Sequence, residues 1–300
     1  MRNGILIINK EKGYTSHDVV AKLRGIINQR KIGHTGTLDP DAVGVLPVCL
    51  GKATKVCELL TNQGKSYETV LLLGKATDTQ DISGVVLAEK DTKGIVEQQV
   101  RDCIQEYTGR YEQLPPMYSA LKVQGKKLYE LAREGKEVAR KKRSVTIYDI
   151  TILEIYLPRV RLSIHCSKGT YIRTLCHDIG EKLNCGGCME ELVRTSVGRF
   201  NLADSYTLGQ VEGFMKQGWL DEVLLPIDEM FSELTAVTIL PICEPLAYNG
   251  NDIPLAGIKT AYEPWEGERV RLYDSKGCFV GIYKWRMEQF FRVEKFFFSA

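Results

Sequence analysis

Asp39 is followed by Pro40 and preceded by a loop containing Gly33 and Gly36. Proline biases the residue before it toward an extended backbone, and glycine lets another chain segment or a ligand approach closely. A loop of that kind can present a carboxylate into a cleft, where it can act as a nucleophile. Asp-Pro is equally a common turn or helix-entry pair. Arg173 lies about one turn into a predicted helix, beside Tyr171; an arginine held near a carboxylate keeps it ionised, and an exposed helix arginine is the plainer alternative. Tyr67 opens a predicted strand, where packing alone favours tyrosine. His34 suits a core or surface histidine, and Leu192 a core leucine. Cys185-Gly-Gly-Cys188 is the one pair with metal or redox spacing. A zinc site needs about four ligands and no second such pair exists, so we read a Gly-Gly turn and expect no metal.

The elements that must position these residues follow from periodicity. Gly4 to Asn9 is a buried strand, and a helix follows with Ser16 as its N-cap and Val19, Val20, Leu23, Ile26 and Ile27 on one face. After the Gly33–Pro40 loop come a strand over Gly44 to Leu50, a helix near Ala53 to Leu60 and a strand over Ser66 to Gly74. A polar turn spans Thr77 to Gly84, and a helix lies near Ile95 to Tyr107. Two prolines then exclude helix at Leu114 to Tyr118. Ser144 to Tyr156 and Val160 to Cys166 are paired strands, and Thr170 is the candidate N-cap of the next helix. Helical patches lie at Leu208 to Lys216 and Glu222 to Met230. From about Ser232 short strands take over, with a hairpin turning at Ser275-Lys-Gly277. Strands and helices alternate without a regular βαβ cadence. The fold class is therefore α+β: a mixed, largely antiparallel sheet with flanking helices, plus a small C-terminal β-barrel-like domain. We expect residues 1–231 and 232–300 to form the two domains.

The chain has 300 residues, 44% hydrophobic and 26% charged, which allows a sizeable core. Its net charge of +2 is unevenly spread. Lys122 to Arg143 holds nine basic and three acidic residues and is therefore +6, which leaves about −4 for the remainder. A basic segment on a nearly neutral protein suggests a polyanionic partner gripped at one place, with a solvated helix face as the alternative. Nine cysteines without framework spacing, and no secretory or membrane-spanning run at the N-terminus, point to reduced thiols, a cytoplasmic location and no membrane contact.

The order of these signals carries more than any one of them. Lys31-Ile-Gly-His-Thr-Gly-Thr-Leu-Asp-Pro-Asp-Ala-Val-Gly-Val-Leu-Pro-Val-Cys-Leu-Gly-Lys-Ala-Thr-Lys55 closely resembles the signature of the TruB family of tRNA pseudouridine synthases. Lys65-Ser-Tyr-Glu68, Asp78-Thr-Gln-Asp-Ile-Ser-Gly84, Gln113-Leu-Pro-Pro-Met-Tyr-Ser-Ala-Leu-Lys122 and Gly169-Thr-Tyr-Ile-Arg-Thr-Leu175 are similar to further blocks of that family, in its order, over roughly residues 4 to 230. Two positions depart from the pattern: Glu11 stands where proline is usual, and Asp41 where an apolar residue is usual.

The resemblance implies the pseudouridine synthase fold and an isomerase that turns one uridine of the tRNA T loop (position 55) into pseudouridine, without cofactor, on a flipped-out base. Asp39 would be the nucleophile and Arg173 its ion-pair partner. Tyr67 would stack on the base and serve in proton transfer. His34 would stack within the RNA, Tyr171 would contact the flipped nucleotide and Leu192 would pack on the base. Residues from about 121 to 143 would form a mobile insert that clamps the T stem-loop, with Lys126, Lys127, Lys141, Lys142 and Arg143 on phosphates. That insert favours the stand-alone enzyme over the dyskerin type, which works in a guide-RNA particle. Residues 232–300 would be a PUA-like RNA-binding barrel. We expect a monomer. The rival from another class is a non-catalytic RNA-binding or tRNA-chaperone protein using the same cleft.

Overall fold

The computed structural model describes residues 1–123, 125–259 and 263–298. In chain order the elements are β1 (Gly4–Lys10), α1 (Ser16–Ile27), β2 (Ile32–His34), β3 (Val43–Leu50), α2 (Cys57–Thr61), β4 (Lys65–Leu73), β5 (Lys75–Thr77), β6 (Val86–Glu89), α3 (Glu97–Gln105) and β7 (Gly109–Gln113). They continue with β8 (Lys122–Val123), β9 (Lys126–Lys127), α4 (Leu128–Arg133), β10 (Arg143–Tyr156), β11 (Arg159–Cys166), α5 (Ile172–Lys182), β12 (Gly187–Val197), β13 (Phe200–Asn201) and α6 (Leu208–Gln217). The last part holds β14 (Thr235–Thr238), α7 (Glu244–Tyr248), β15 (Ile253–Pro254), β16 (Arg269–Tyr273), β17 (Phe279–Arg286) and β18 (Phe290–Phe296).

Nine strands make the main sheet, with a path β1-β3-β12-β4-β11-β10-β7. Only β3 and β12 pair in parallel, so the sheet is mixed and largely antiparallel, as the patterning predicts. The five C-terminal strands, ordered β14-β16-β17-β18-β15, curl into a half-barrel. Apolar alternation explains the layering. On β4, Tyr67 and Leu71 face inward and join Leu162 and Ile164 of β11 and Leu175 and Ile179 of α5 in one core. At the sheet's β1 end, Ile5, Ile7 and Val45 pack with Phe231, with Ile282 of β17 and with Phe297 just beyond β18. The two sheets therefore share a hydrophobic core.

Four local expectations shift. The N-cap of α1 is Thr15, whose hydroxyl accepts from the Asp18 amide at 3.1 Å while the Asp18 carboxylate accepts from the Thr15 amide at 2.9 Å. Ser16 is instead turned inward, where its hydroxyl accepts from the Leu38 amide at 2.9 Å. The N-cap of α5 is Tyr171 rather than Thr170, because the Thr170 hydroxyl donates back to the Ser167 carbonyl at 2.9 Å. The helix expected near Ala53 to Leu60 begins as a 3-10 turn over Gly51–Val56, and in place of the helical patch at Glu222 to Met230 there are two 3-10 turns, Leu220–Glu222 and Ile227–Phe231, with residues 223–226 between them.

The strand β12 has no counterpart in the periodicity reading, although it is central. It starts directly after the Cys185–Gly186 turn, and Cys188 lies buried within it. Its first residue, Gly187, sits so close to α5 that a Cβ there would fall 2.7 Å from the Cys176 carbonyl oxygen. Glycine is what allows helix and sheet to touch at that point. Among the described residues no group of three or more His, Cys, Asp or Glu side chains is placed to hold a metal ion. No described helix is long and apolar enough to cross a membrane.

Candidate active site

The Asp39 loop is fastened from three sides. Thr35 donates through both its amide and its hydroxyl to the Pro47 carbonyl of β3, at 3.1 and 3.3 Å. Leu38 is tied to Ser16 of α1. The Pro40 carbonyl accepts from the Gly13 amide at 2.9 Å and from Lys10 Nζ at 3.0 Å. Lys10 is fully buried, and its ammonium also donates to the Tyr14 and Glu11 carbonyls at 2.6 and 3.1 Å. Burial pushes its pKa down to about 8, against the pull of Asp39 and Asp41. The departure at Glu11 is harmless here, since Lys10 uses only the backbone carbonyl of that residue.

So held, the Asp39 carboxylate meets Arg173 side-on. Arg173 Nε lies 3.0 Å from Oδ2, and Nη2 donates to Oδ1 at 3.2 Å. This two-point geometry is what a guanidinium offers and an ammonium does not. Arg173 projects from the first turn of α5 and is 5% exposed. Its remaining donors are used as well: Nη1 reaches the Thr79 carbonyl at 3.1 Å and Asp81 Oδ2 at 3.4 Å, and Nη2 reaches the Tyr118 carbonyl at 2.9 Å. The Thr77–Gly84 turn supplies that support. Asp81 Oδ1 accepts from the Thr79 hydroxyl, the Ser83 hydroxyl and the Ser83 amide, and the Gln80 side chain accepts from the Thr174 hydroxyl of α5. The Asp39 carboxyl nonetheless has a pKa above its ordinary value. Burial raises it most, Arg173 pulls it down, Asp81 and Asp41 raise it and Lys10 lowers it.

Tyr67 and Leu192 occupy neighbouring strands of the sheet and are 7% and 9% exposed, in one cluster with Leu38 and Ala42 of the Asp39 loop. Burial pushes the Tyr67 hydroxyl up to about 12, opposed chiefly by Arg194. Tyr171 is clamped by Gln113, whose side chain accepts from the Tyr171 amide at 2.8 Å and donates to its carbonyl at 2.9 Å. Burial raises its hydroxyl pKa too. His34 stands at the rim on β2, half-buried, with Nδ1 3.1 Å from the Gly36 carbonyl and an edge-on contact to His17 at 5.0 Å. Burial lowers its pKa, favouring the neutral ring that can stack.

The basic segment meets the site at its end, where Arg143 pairs with Gln113 and its charge acts on the Tyr171 hydroxyl. Lys126 on β9 is 3.6 Å from Glu134, and Lys127 donates to the Tyr129 hydroxyl at 3.1 Å. Lys141, Lys142 and Arg143 are exposed and make no ion pair among the described residues. The structure thus gathers Asp39, Arg173, Tyr67, Tyr171 and Leu192, puts His34 beside them and brings the basic segment to the site only through Arg143. Residues the sequence reading passed over include Lys10, Asp81, Gln113 and Arg194. A signal for Arg194 existed: it lies two residues from Leu192, and on a strand such residues share a face.

A mixed sheet presents an Arg-held aspartate and a buried tyrosine in one site, and the comparisons with known proteins say that the chain is a pseudouridine synthase. Residues 24–172 match the TruB family pseudouridylate synthase N-terminal domain, and residues 173–232 match the tRNA pseudouridylate synthase B C-terminal domain. The tRNA pseudouridine synthase B of Lachnoclostridium phytofermentans is 48% identical over 94% of this chain and 95% of its own. That of Clostridioides difficile is 45% identical over 94% of each. Among solved structures, a chain of an H/ACA RNP bound to a substrate RNA containing 2′-deoxyuridine is 27% identical with a TM-score of 0.70, covering 99% of this chain and 85% of that one. The chain belongs to the TruB family.

Proposed function

We propose that the protein converts uridine 55 in the T loop of tRNA to pseudouridine, with Asp39 as the nucleophile. Formation of pseudouridine in tRNA is the activity that the names of its relatives carry, over 94% of this chain. The observation that carries the finer reading is the side-on Arg173–Asp39 pair, a partly exposed carboxylate held at two points by a buried guanidinium.

The reaction breaks the bond between uracil N1 and the ribose and re-forms it from C5. A carboxylate that forms a covalent intermediate divides this into two easier steps. The base has to leave its stack, which costs a few kcal/mol, and His34 at the rim offsets this by filling the gap. While detached, the uracil needs walls that retain it and exclude water; Tyr67, Leu192 and Tyr171 supply them. The proton on C5 must leave at the end, and Tyr67 takes it. Lys126, Lys127, Lys141, Lys142 and Arg143 contact phosphate, with residues 121–143 as a clamp on the T stem-loop. Residues 1–231 act as the catalytic unit and 232–300 as a second RNA contact, in a cytoplasmic monomer.

The test uses tRNA carrying tritium at C5 of uridine. Release of label should be fast with the parent and absent with Asp39→Asn, while tRNA affinity stays within about threefold. Turnover by that variant would refute the nucleophile. Failure of the parent to release label would favour a non-catalytic RNA-binding protein.

A further inference from the structure

Arg194 is 1% exposed and, among the described residues, has no carboxylate within ion-pairing distance. A buried cation without an acid is costly, so its presence calls for a reason. Two of its donors are struts: Nε donates to the Val45 carbonyl at 2.7 Å, and Nη1 to the Thr37 carbonyl at 3.3 Å, two residues from Asp39. The third group, Nη2, is buried and has no hydrogen-bond partner. Arg194 on β12 stands directly opposite Tyr67 on β4, so both side chains emerge on the same face. Guanidinium and phenol oxygen are close enough for their charges to act on each other and for a hydrogen bond between them to lower the Tyr67 pKa, although Nη2 meets no acceptor in good alignment. The other ionisable groups bearing on that phenol are Cys166 of β11 and Asp39, and both disfavour negative charge there.

We propose that Arg194 is a positioning residue for the proton-transfer half of the reaction, its free Nη2 donating to the Tyr67 oxygen as charge develops on it. The step is balanced within the substrate. The re-attached ring carries a C6–N1 double bond, and the Tyr67 hydroxyl first gives its proton, through water, to N1. The C5–H bond then breaks: the proton passes to the phenolate oxygen, the C–H electron pair forms the C5–C6 double bond, and the C6–N1 π pair settles on N1. The Tyr67 oxygen is a phenolate between the two transfers, and Arg194 is the neighbouring cation that favours that state. The inference rests on the reading of Tyr67 as the proton carrier.

The experiment compares Arg194→Met, Arg194→Lys, Tyr67→Phe and the Met/Phe double variant in single-turnover reactions on tRNA, with hydrogen or deuterium at C5 of uridine. Arg194→Met should slow the reaction about 100- to 1000-fold, the range for losing one preorganised donor. Its tRNA Kd should stay within about threefold, and its C5 isotope effect should exceed the parent's. Arg194→Lys, which keeps the charge, should recover part of the rate. Adding Arg194→Met to Tyr67→Phe should cost nothing more. A slowed Arg194→Met with an unchanged isotope effect, or a double variant whose losses multiply, overturns the inference and leaves a strut. If Arg194→Met does not fold, Arg194→Lys decides, since a slowed but folded protein with the parental isotope effect has the same meaning. A Tyr67→Phe variant with parental rate and isotope effect would instead bring down the reading of Tyr67 itself.

Discussion

Arg173 must hold Asp39 ionised in a place that disfavours charge, and the balance is close. Burial and the two neighbouring carboxylates outweigh Arg173 and Lys10, so the Asp39 pKa is raised. A nucleophile works only while ionised; activity is therefore present above that pKa and lost as pH falls through it. Asp41 is exposed and raises Asp39 from a distance. Asp41→Asn should move the acid limb of the single-turnover rate profile to lower pH and leave the plateau unchanged. The shift should shrink at high salt, because exposed charges are screened. A limb that stays put or moves up would contradict this. The same raised pKa has a consequence for folding. A carboxyl that binds its proton more tightly when folded favours the native state below its unfolded pKa and loses that contribution as pH rises through the folded one. At neutral pH ionised Asp39 thus works against folding, and Arg173 keeps Asp81 and two carbonyls as partners without it. Asp39→Asn should unfold at or above the parental Tm at pH 7. A drop of more than about 3 °C, equivalent to roughly 1 kcal/mol for a domain of 150–250 residues, would count against it.

At the scale of elements, the junction of β3 and β12 sets the site, because it brings the Asp39 loop against the strand of Leu192 and Arg194. These strands run parallel with Gly44 opposite Arg194. Gly44 has φ +108°, and a Cβ there would lie 2.3 Å from the Arg194 carbonyl oxygen. Strain and clash coincide, so Gly44→Ala should cost about 2 kcal/mol or more, measured as a Tm lowered by several degrees. An unchanged Tm would mean that the strands separate freely at that point. This junction is also where sequence and structure part. Strands with strong alternation or β-branched runs, such as β1, β3, β10 and β11, announce themselves by period. In β12 the run Gly187-Cys-Met-Glu-Glu-Leu-Val-Arg194 contains a register shift between Met189 and Glu191, which breaks the alternation that would have revealed it. Arg194 went unnoticed with its strand. Asp39 and Arg173 could be paired in advance only through the ordered motifs, since they lie 134 residues apart and no local pattern links them. The Asp81 support was visible as a turn, but its grip on Arg173 depends on how α5 docks.

Over the whole molecule, the question is where a polyanion would be held. The Lys122–Arg143 segment has a charge of +6 by composition, yet part of it is neutralised within the fold. Glu134 takes Lys126 and Lys136, and Glu137 takes Arg140, whose Nη1 also donates to the Pro115 carbonyl. Of the six cations of the segment left without ion pairs among the described residues, Lys141, Lys142 and Arg143 stand together at its end, where they lead into β10 and so attach to the main sheet. Phosphate contacts show up as salt dependence, because each releases counterions on binding. Each contributes about 0.9 to the slope of log affinity against log salt on a duplex and about 0.7 on a single strand. Replacing Lys141, Lys142 and Arg143 together by Gln should weaken tRNA binding and flatten the slope by roughly 2 to 3. Lys126→Gln alone should change it by less than one full contact, since that lysine shares its charge with Glu134. Titrations of tRNA binding across about 50 to 300 mM salt measure both. An unaltered slope in the triple variant would place the phosphate backbone away from this end of the segment, and a larger change from Lys126 would show that its ion pair opens when RNA arrives.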